Sequence, residues 1–163
     1  LCSILGDDLK PALPATVEAV QAAICPPEDG QEDPSPNGYG LAPIGAAVTI
    51  TTGTELTLNI TCDIEFVDTL QNGVETYQQE IEDKIQEYID QVNASWGNPL
   101  QSQTISYPVT IYISRIVYSI LQISDVVNAT NVRINGSAAD LQLTETAQLQ
   151  QVPVLGTVVI NGE

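Results

Sequence analysis

Histidine is absent from the chain. That removes Ser-His-Asp and Cys-His nucleophilic sites, together with most transition-metal sites. Methionine is absent too, and the chain opens on Leu1, so it reads as a piece of a longer protein. Positive charge is scarce: four basic residues face 21 acids, for a net charge of −17. A surface of that sign repels phosphate, which disfavours nucleic acid and anionic membranes as partners. No glycine-rich phosphate loop occurs, neither GxGxxG nor GxxxxGK followed by Ser or Thr. No apolar run approaches the roughly 20 residues a membrane helix needs. Leu1 to Ile24 lacks a basic start and is broken by Pro11 and Pro14, so it is no signal peptide.

Cysteine is sparse as well. Cys2, Cys25 and Cys62 are odd in number and follow no framework spacing, which argues against a disulfide scaffold and for a reducing compartment. Seventeen of the acids precede Trp96 and four follow it. The plain reading of this charge is a solvated acidic face that keeps the protein soluble. Hydrophobic residues make up 43% of the 163, enough for one domain with a core.

What is present is organised around one stretch. From Glu55 to Phe66, Leu56, Leu58, Ile60, Cys62, Ile64 and Phe66 alternate with Thr57, Asn59, Thr61, Asp63 and Glu65. A period of two puts the apolar set on one face of a long, half-buried strand. Burying such side chains contributes roughly 1.5–3 kcal/mol each before entropy is subtracted. From Gly73 the period changes. Val74, Tyr77, Ile81, Ile85, Tyr88, Ile89 and Val92 recur at helical spacing, with acids and glutamines between them. This predicts an amphipathic helix that roofs the strand, opened by Asn72-Gly73 and stopped by Gly97-Asn98-Pro99.

Elsewhere the signals are shorter. Residues 1–13 show no period and read as a connection. Thr16 to Ile24 reads as a short helix capped by Thr16. Pro26 to Gly40, with four prolines, three glycines and four acids, reads as a surface loop. Ala47 to Thr52 is a short strand, and Gly53-Thr54 a bend. Thr104 to Ile113 is a strand, followed by an apolar helix capped by Ser114 and carrying Ile116, Val117, Ile120, Leu121 and Ile123. Asp125 to Ile134 is a strand that returns through Asn135-Gly136 as a hairpin with Ala139 to Leu143. Val152 to Gly156 reads as an apolar loop and Thr157 to Ile160 as a last strand. The fold class expected is α+β: a two-layer, mostly antiparallel sheet with two helices on one face, preceded by a short helix and a Pro/Gly-rich loop. Residues 1–40 form the leading part and residues 41–163 the α+β domain.

Paired carboxylates are the one catalytic possibility left, as in a cell-wall glycosidase. The acids fall on an exposed helix face and in the proline-rich loop, neither of which raises a carboxyl pKa. The loop Glu28-Asp29-Gly30-Gln31-Glu32-Asp33 could serve a small calcium-dependent binding module. It lacks the spaced ladder and terminal Glu of an EF-hand, and a solvated loop is the preferred reading. Lys84, set among acids, reads as half of a helix ion pair. No catalytic, cofactor-binding or metal-binding residue is expected.

Three stretches carry a resemblance. They are Tyr39-Gly40-Leu41-Ala42-Pro43-Ile44-Gly45-Ala46, Asp125-Val126-Val127-Asn128-Ala129-Thr130-Asn131-Val132-Arg133-Ile134-Asn135-Gly136, and Val152-Pro153-Val154-Leu155-Gly156-Thr157-Val158. In this order, after a short helix at Val17 to Ile24, they resemble the C-terminal half of the baseplate J-like family of contractile-tailed phages and phage-like particles. The likeness runs from Ala15 to Val158. Two places depart from it: Gly30 to Pro36 is longer and more acidic than the pattern, and Gln148 to Gln151 is stretched. The resemblance implies a non-enzymatic wedge component of a tail baseplate, with no catalytic residue to carry over. Its partners would be other baseplate and tail proteins, without nucleic acid or membrane, and it would oligomerise in the assembled particle. It would pass from the bacterial cytoplasm during assembly to the virion tail baseplate. Val152, Pro153, Val154 and Leu155 are the candidate interface, with packing on the domain's own sheet as the alternative.

Overall fold

The computed structural model describes residues 1–68, 72–95, 109–144, 146 and 149–162. The chain divides into two compact units, Leu1–Glu55 with Thr146–Val152, and Leu56–Glu145 with Pro153–Glu163.

In the first unit, β1 (Cys2–Ile4) pairs in parallel with β2 (Ile50–Thr52), Cys2 opposite Ile50 and Ile4 opposite Thr52. The expected connection over residues 1–13 therefore contains a strand, too short for its period to show. This pairing lies within the unit that runs from Leu1 to Glu55. Helix α1 (Pro14–Ile24) starts before Thr16. Pro14 occupies the first turn, where its fixed φ suits a helix and its missing N–H costs nothing, so Leu13 stands at the N-cap and Thr16 caps nothing.

None of the described side chains of α1 is buried. The helix is tied down instead by Gln21. Its Nε2 donates to the carbonyls of Val48 at 3.0 Å and Cys25 at 2.5 Å, and its Oε1 accepts the Ile50 N–H at 2.7 Å. Thr52 Oγ1 does similar work, accepting the Ala12 N–H at 2.7 Å and donating to the Ile4 carbonyl at 2.9 Å. The buried Cys25 thiol donates to the Ser35 carbonyl at 3.2 Å.

The second unit is built on β3 (Thr54–Phe66), whose first two residues belong to the first. The expected alternation holds: Leu58, Ile60, Cys62, Ile64 and Phe66 are buried and Glu65 and Asn59 exposed. The remaining elements are α2 (Gly73–Ala94), β4 (Thr110–Ile111), α3 (Ile113–Ile120), β5 (Val126–Ile134), β6 (Leu141–Gln142) and β7 (Gln151–Asn161). β3 is the middle strand of a sheet ordered β5-β3-β7, and β4 and β6 form a separate antiparallel pair. The buried face of β3 shares one apolar cluster with Ile81, Ile85 and Ile89 of α2 and Ile116 and Ile120 of α3. This is an α+β arrangement with mixed and antiparallel pairing.

β5 runs antiparallel to β3 with two register shifts, so Ile60 faces Ile134 while Phe66 faces Val126. Each shift is a bulge on β5, and Asn131 takes a left-handed φ of 49° beside one of them. The bulges explain why Val126, Ala129 and Val132 are all buried although three residues apart. β7 advances in step with β3: a Cβ on Gly156 would meet Asn59 Oδ1 at 2.4 Å, and one on Gly162 the Ile64 carbonyl at 2.7 Å. The two strands are therefore parallel, and Gly156 is required by the close approach.

Two local expectations give way here. Val152 to Gly156 is strand, because Pro153 can sit in an edge strand, where its missing donor breaks no ladder. Asn135-Gly136 does form a tight turn, with φ of 50° and 80°, and Ile134 and Ser137 exchange both backbone hydrogen bonds at 2.9 Å. The hairpin ends at that single pair, because the returning Leu141–Gln142 pairs with β4 instead of β5. Asn135 is occupied on β3: its Oδ1 accepts the Asn59 N–H at 2.8 Å and its Nδ2 donates to the Thr57 carbonyl at 3.1 Å. The stop at Gly97-Asn98-Pro99 and the strand from Thr104 to Pro108 lie outside the described residues.

Candidate functional site

Val152, Pro153 and Val154 are buried, and Leu155 packs partly against the apolar cluster. The Pro153 carbonyl also accepts Asn93 Nδ2 at 3.0 Å, and Asn93 is itself buried. In this chain by itself, three of the four residues are therefore covered and Leu155 is partly so. In the acidic loop, Glu28 turns back on its neighbours. Its carboxylate accepts Ser35 Oγ at 2.8 Å and the Asn37 amide, and these donors hold its pKa below the ordinary range. Asp29, Glu32 and Asp33 point to solvent, and no group of three ligand-type side chains forms among the described residues.

A concavity exists elsewhere, between α2 and α3. It encloses about 480 Å³, and its walls include Lys84, Glu87 and Tyr88 of α2, Tyr112 before α3, and Arg115 and Tyr118 on α3. Its geometry follows from how α3 begins. Tyr112, at the N-cap, offers no capping side chain, and Ser114 is not the cap that its sequence position suggested. The first amides of the helix would be orphaned without outside acceptors. Tyr88 Oη accepts the Tyr112 N–H at 3.1 Å, and Asp140 Oδ1 accepts the Ile113 N–H at 2.9 Å. An α2 side chain thus anchors the start of α3. Burial raises the pKa of the Tyr88 phenol, with the Tyr112 N–H acting against that rise.

Along the helices, Ile116 and Ile120 turn into the core, which leaves Arg115 and Tyr118 facing out. Tyr112 is 48% exposed and Tyr118 60% exposed, large aromatic surface left in water. Lys84 Nζ lies 3.2 Å from Glu87 Oε2, the helix ion pair expected of it. The Arg115 guanidinium makes no hydrogen bond or ion pair among the described residues, and only the backbone N–H of Arg115 is bonded, to the Tyr112 carbonyl at 3.1 Å. The outer face of α2 carries more acids than its one cation, Lys84, and Gln79 and Gln86 donate to Asp83 at 2.9 Å and Asp90 at 2.6 Å, each one turn on.

The sequence did not reveal this groove. Tyr88 reads as part of an apolar stripe, and Arg115 and Tyr118 fall between the apolar positions of a short helix. Only the pairing of α2 with α3 brings them together. A signal was nevertheless available: of the three basic residues in the second unit, Lys84, Arg115 and Arg133, two line one groove.

Among the described residues, Glu87 is the carboxylate that lines the groove, beside the cations Lys84 and Arg115. Among the described residues no helix is long and apolar enough to cross a membrane. Comparison with known proteins finds that the chain is similar to a protein of a phage-like element. That relative is the phage-like element PBSX protein XkdT of Bacillus subtilis (strain 168), 28% identical over 157 residues. The similarity takes in 96% of this chain and 38% of the relative, so the chain spans little more than a third of that protein's length. No family model matches the chain.

Proposed function

We propose that the chain is part of a structural protein of a phage or prophage-type tail, a wedge component of the baseplate that works through protein–protein contacts and not by catalysis. The observation that carries this reading is the similarity along 96% of the chain to a protein of a phage-like element. The motif resemblance to baseplate J-like proteins supplies the finer assignment. Its partners are then other tail proteins, met in the bacterial cytoplasm during assembly and kept in the finished particle.

The chemistry of the chain supports a contact role. Histidine is absent, and among the described residues the two acids with displaced titration, Glu28 and Asp63, are both lowered. A glycosidase needs one carboxyl raised to act as general acid. Exposed Tyr39, Leu41 and Ile44 in the first unit and Tyr112 and Tyr118 in the second give surface for neighbours.

The test uses the full-length protein in its own host. An epitope tag, particle induction and immunogold microscopy should place label at the baseplate end of tails, and deletion of the gene should leave particles without a complete baseplate. Complete particles lacking the protein would overturn the reading. A peptidoglycan-release assay should show no turnover; turnover abolished by replacing a pair of acids would overturn the non-enzymatic part.

A further inference from the structure

We infer that the groove between α2 and α3 docks a carboxylate-bearing segment of a different protein, with an acidic side chain on Arg115 and flanking apolar or aromatic groups on Tyr112 and Tyr118. The inference rests on the contact role proposed above, but not on the baseplate assignment.

Charge identifies the occupant. The chain carries −17, and most of its surface repels an acidic partner. The Arg115 side chain stands out against that field, with no ion pair or hydrogen bond to its guanidinium among the described residues. A guanidinium fork left open matches the two oxygens of a carboxylate, and such paired bonds fix orientation as well as strength. Lys84 adds a second cation on the opposite wall. Its partner Glu87 sits on the exposed side of α2, where an ion pair is weak and readily exchanged.

Composition makes the same case from a second direction. Tyrosine and arginine are the residues that dominate binding energy at protein interfaces, and tyrosine loses few rotamers on being covered. Tyr112 presents nearly half of its surface to water and Tyr118 more than half, while Tyr88 between them is fixed by its hydrogen bond to the Tyr112 amide. The walls are therefore preformed, which lowers the cost of binding. A second copy of this chain is a poor occupant, because two surfaces of −17 repel one another.

The experiment needs no particle. A random peptide library is panned on the immobilised 163-residue chain, and recovered peptides are titrated in solution. The peptides should be acidic, and their binding should weaken with added salt. Arg115→Ala and Tyr118→Ala should each lower affinity by about tenfold or more. Both side chains are exposed, so the variants fold, and an unchanged melting curve verifies it. Arg133→Ala, a cation on the sheet, should bind as the parent does. Failure to recover peptides, recovery of peptides without a carboxylate excess, or equal loss with Arg133→Ala would each overturn the inference. Self-association of the chain that Arg115→Ala abolishes would overturn it in favour of a second copy. None of these outcomes touches the particle-labelling result, so the two proposals fail separately.

Discussion

Helix α1 buries none of its described side chains, whereas α2 buries Ile81, Ile85 and Ile89 completely. The contrast extends to the units that contain them. Around β3 and the helices on it, an apolar cluster from Leu58 to Val158 sets the structure, and cross-strand amides such as Asn135 trim its edges. Around β1, β2 and α1, the work falls to polar side chains bonded to backbone: Gln21 makes three such bonds and Thr52 two. Apolar burial is additive and tolerant of local error. A network of side-chain-to-backbone bonds depends on each member, and it opens at lower cost where water can replace the partner. The first unit is therefore the part expected to yield first, and the second the part that persists.

That difference can be broken from either end. Ile85→Ala, removing a fully buried side chain under β3, should cost about 2–5 kcal/mol and lower the main thermal transition, read by calorimetry. Asn93→Ala should cost about 1–3 kcal/mol, because the buried Pro153 carbonyl loses its donor. Its effect should be seen as faster amide exchange along β7. Gln21→Ala should cost a similar or smaller amount, about 1–2 kcal/mol. It should speed exchange at Ile50 while leaving the amides of Ile60 to Ile64 untouched. A fall in protection there as large as at Ile50 would show that the two units open together.

The smallest effect concerns acid. Asp63 accepts Asn131 and Asn161 amides, and these donors lower its pKa beneath the ordinary 3.8. A carboxylate whose folded-state pKa is depressed contributes fully above its unfolded value, and that contribution is lost as pH falls through the folded one. Melting temperature should therefore drop on acidification below about pH 4, and Asp63→Asn should flatten that part of the curve.

The parts legible in the sequence are those where one force acts over many residues. β3 shows itself because burial on one face and water on the other repeat along its length, and α2 because the same opposition repeats every turn. β7 is hidden because Pro153 and Gly156 resemble loop punctuation, although one is tolerated at an edge and the other is demanded by Asn59 and Thr57. β5 can be found but its register cannot, since two bulges break the alternation on which register reasoning depends. β1 is three residues long, and its partner lies 48 positions away, as Cys2 opposite Ile50. The groove is less legible still. Tyr88 and Arg115 are separated by the whole passage between two helices, and nothing local distinguishes either from a neighbour. The short motifs carry a resemblance of another kind, and the similarity to a phage-like element protein agrees with its coarser part, a phage-related protein.

If this chain holds neighbours in place, amide exchange of the protein free and within purified particles will show it. Ile60 to Ile64 and Ile81 to Ile89 should exchange slowly in both states. Protection should be gained on assembly around Tyr112 to Ser119, where the groove is filled. Identical exchange in the two states, or particles that contain no trace of the protein, would contradict it.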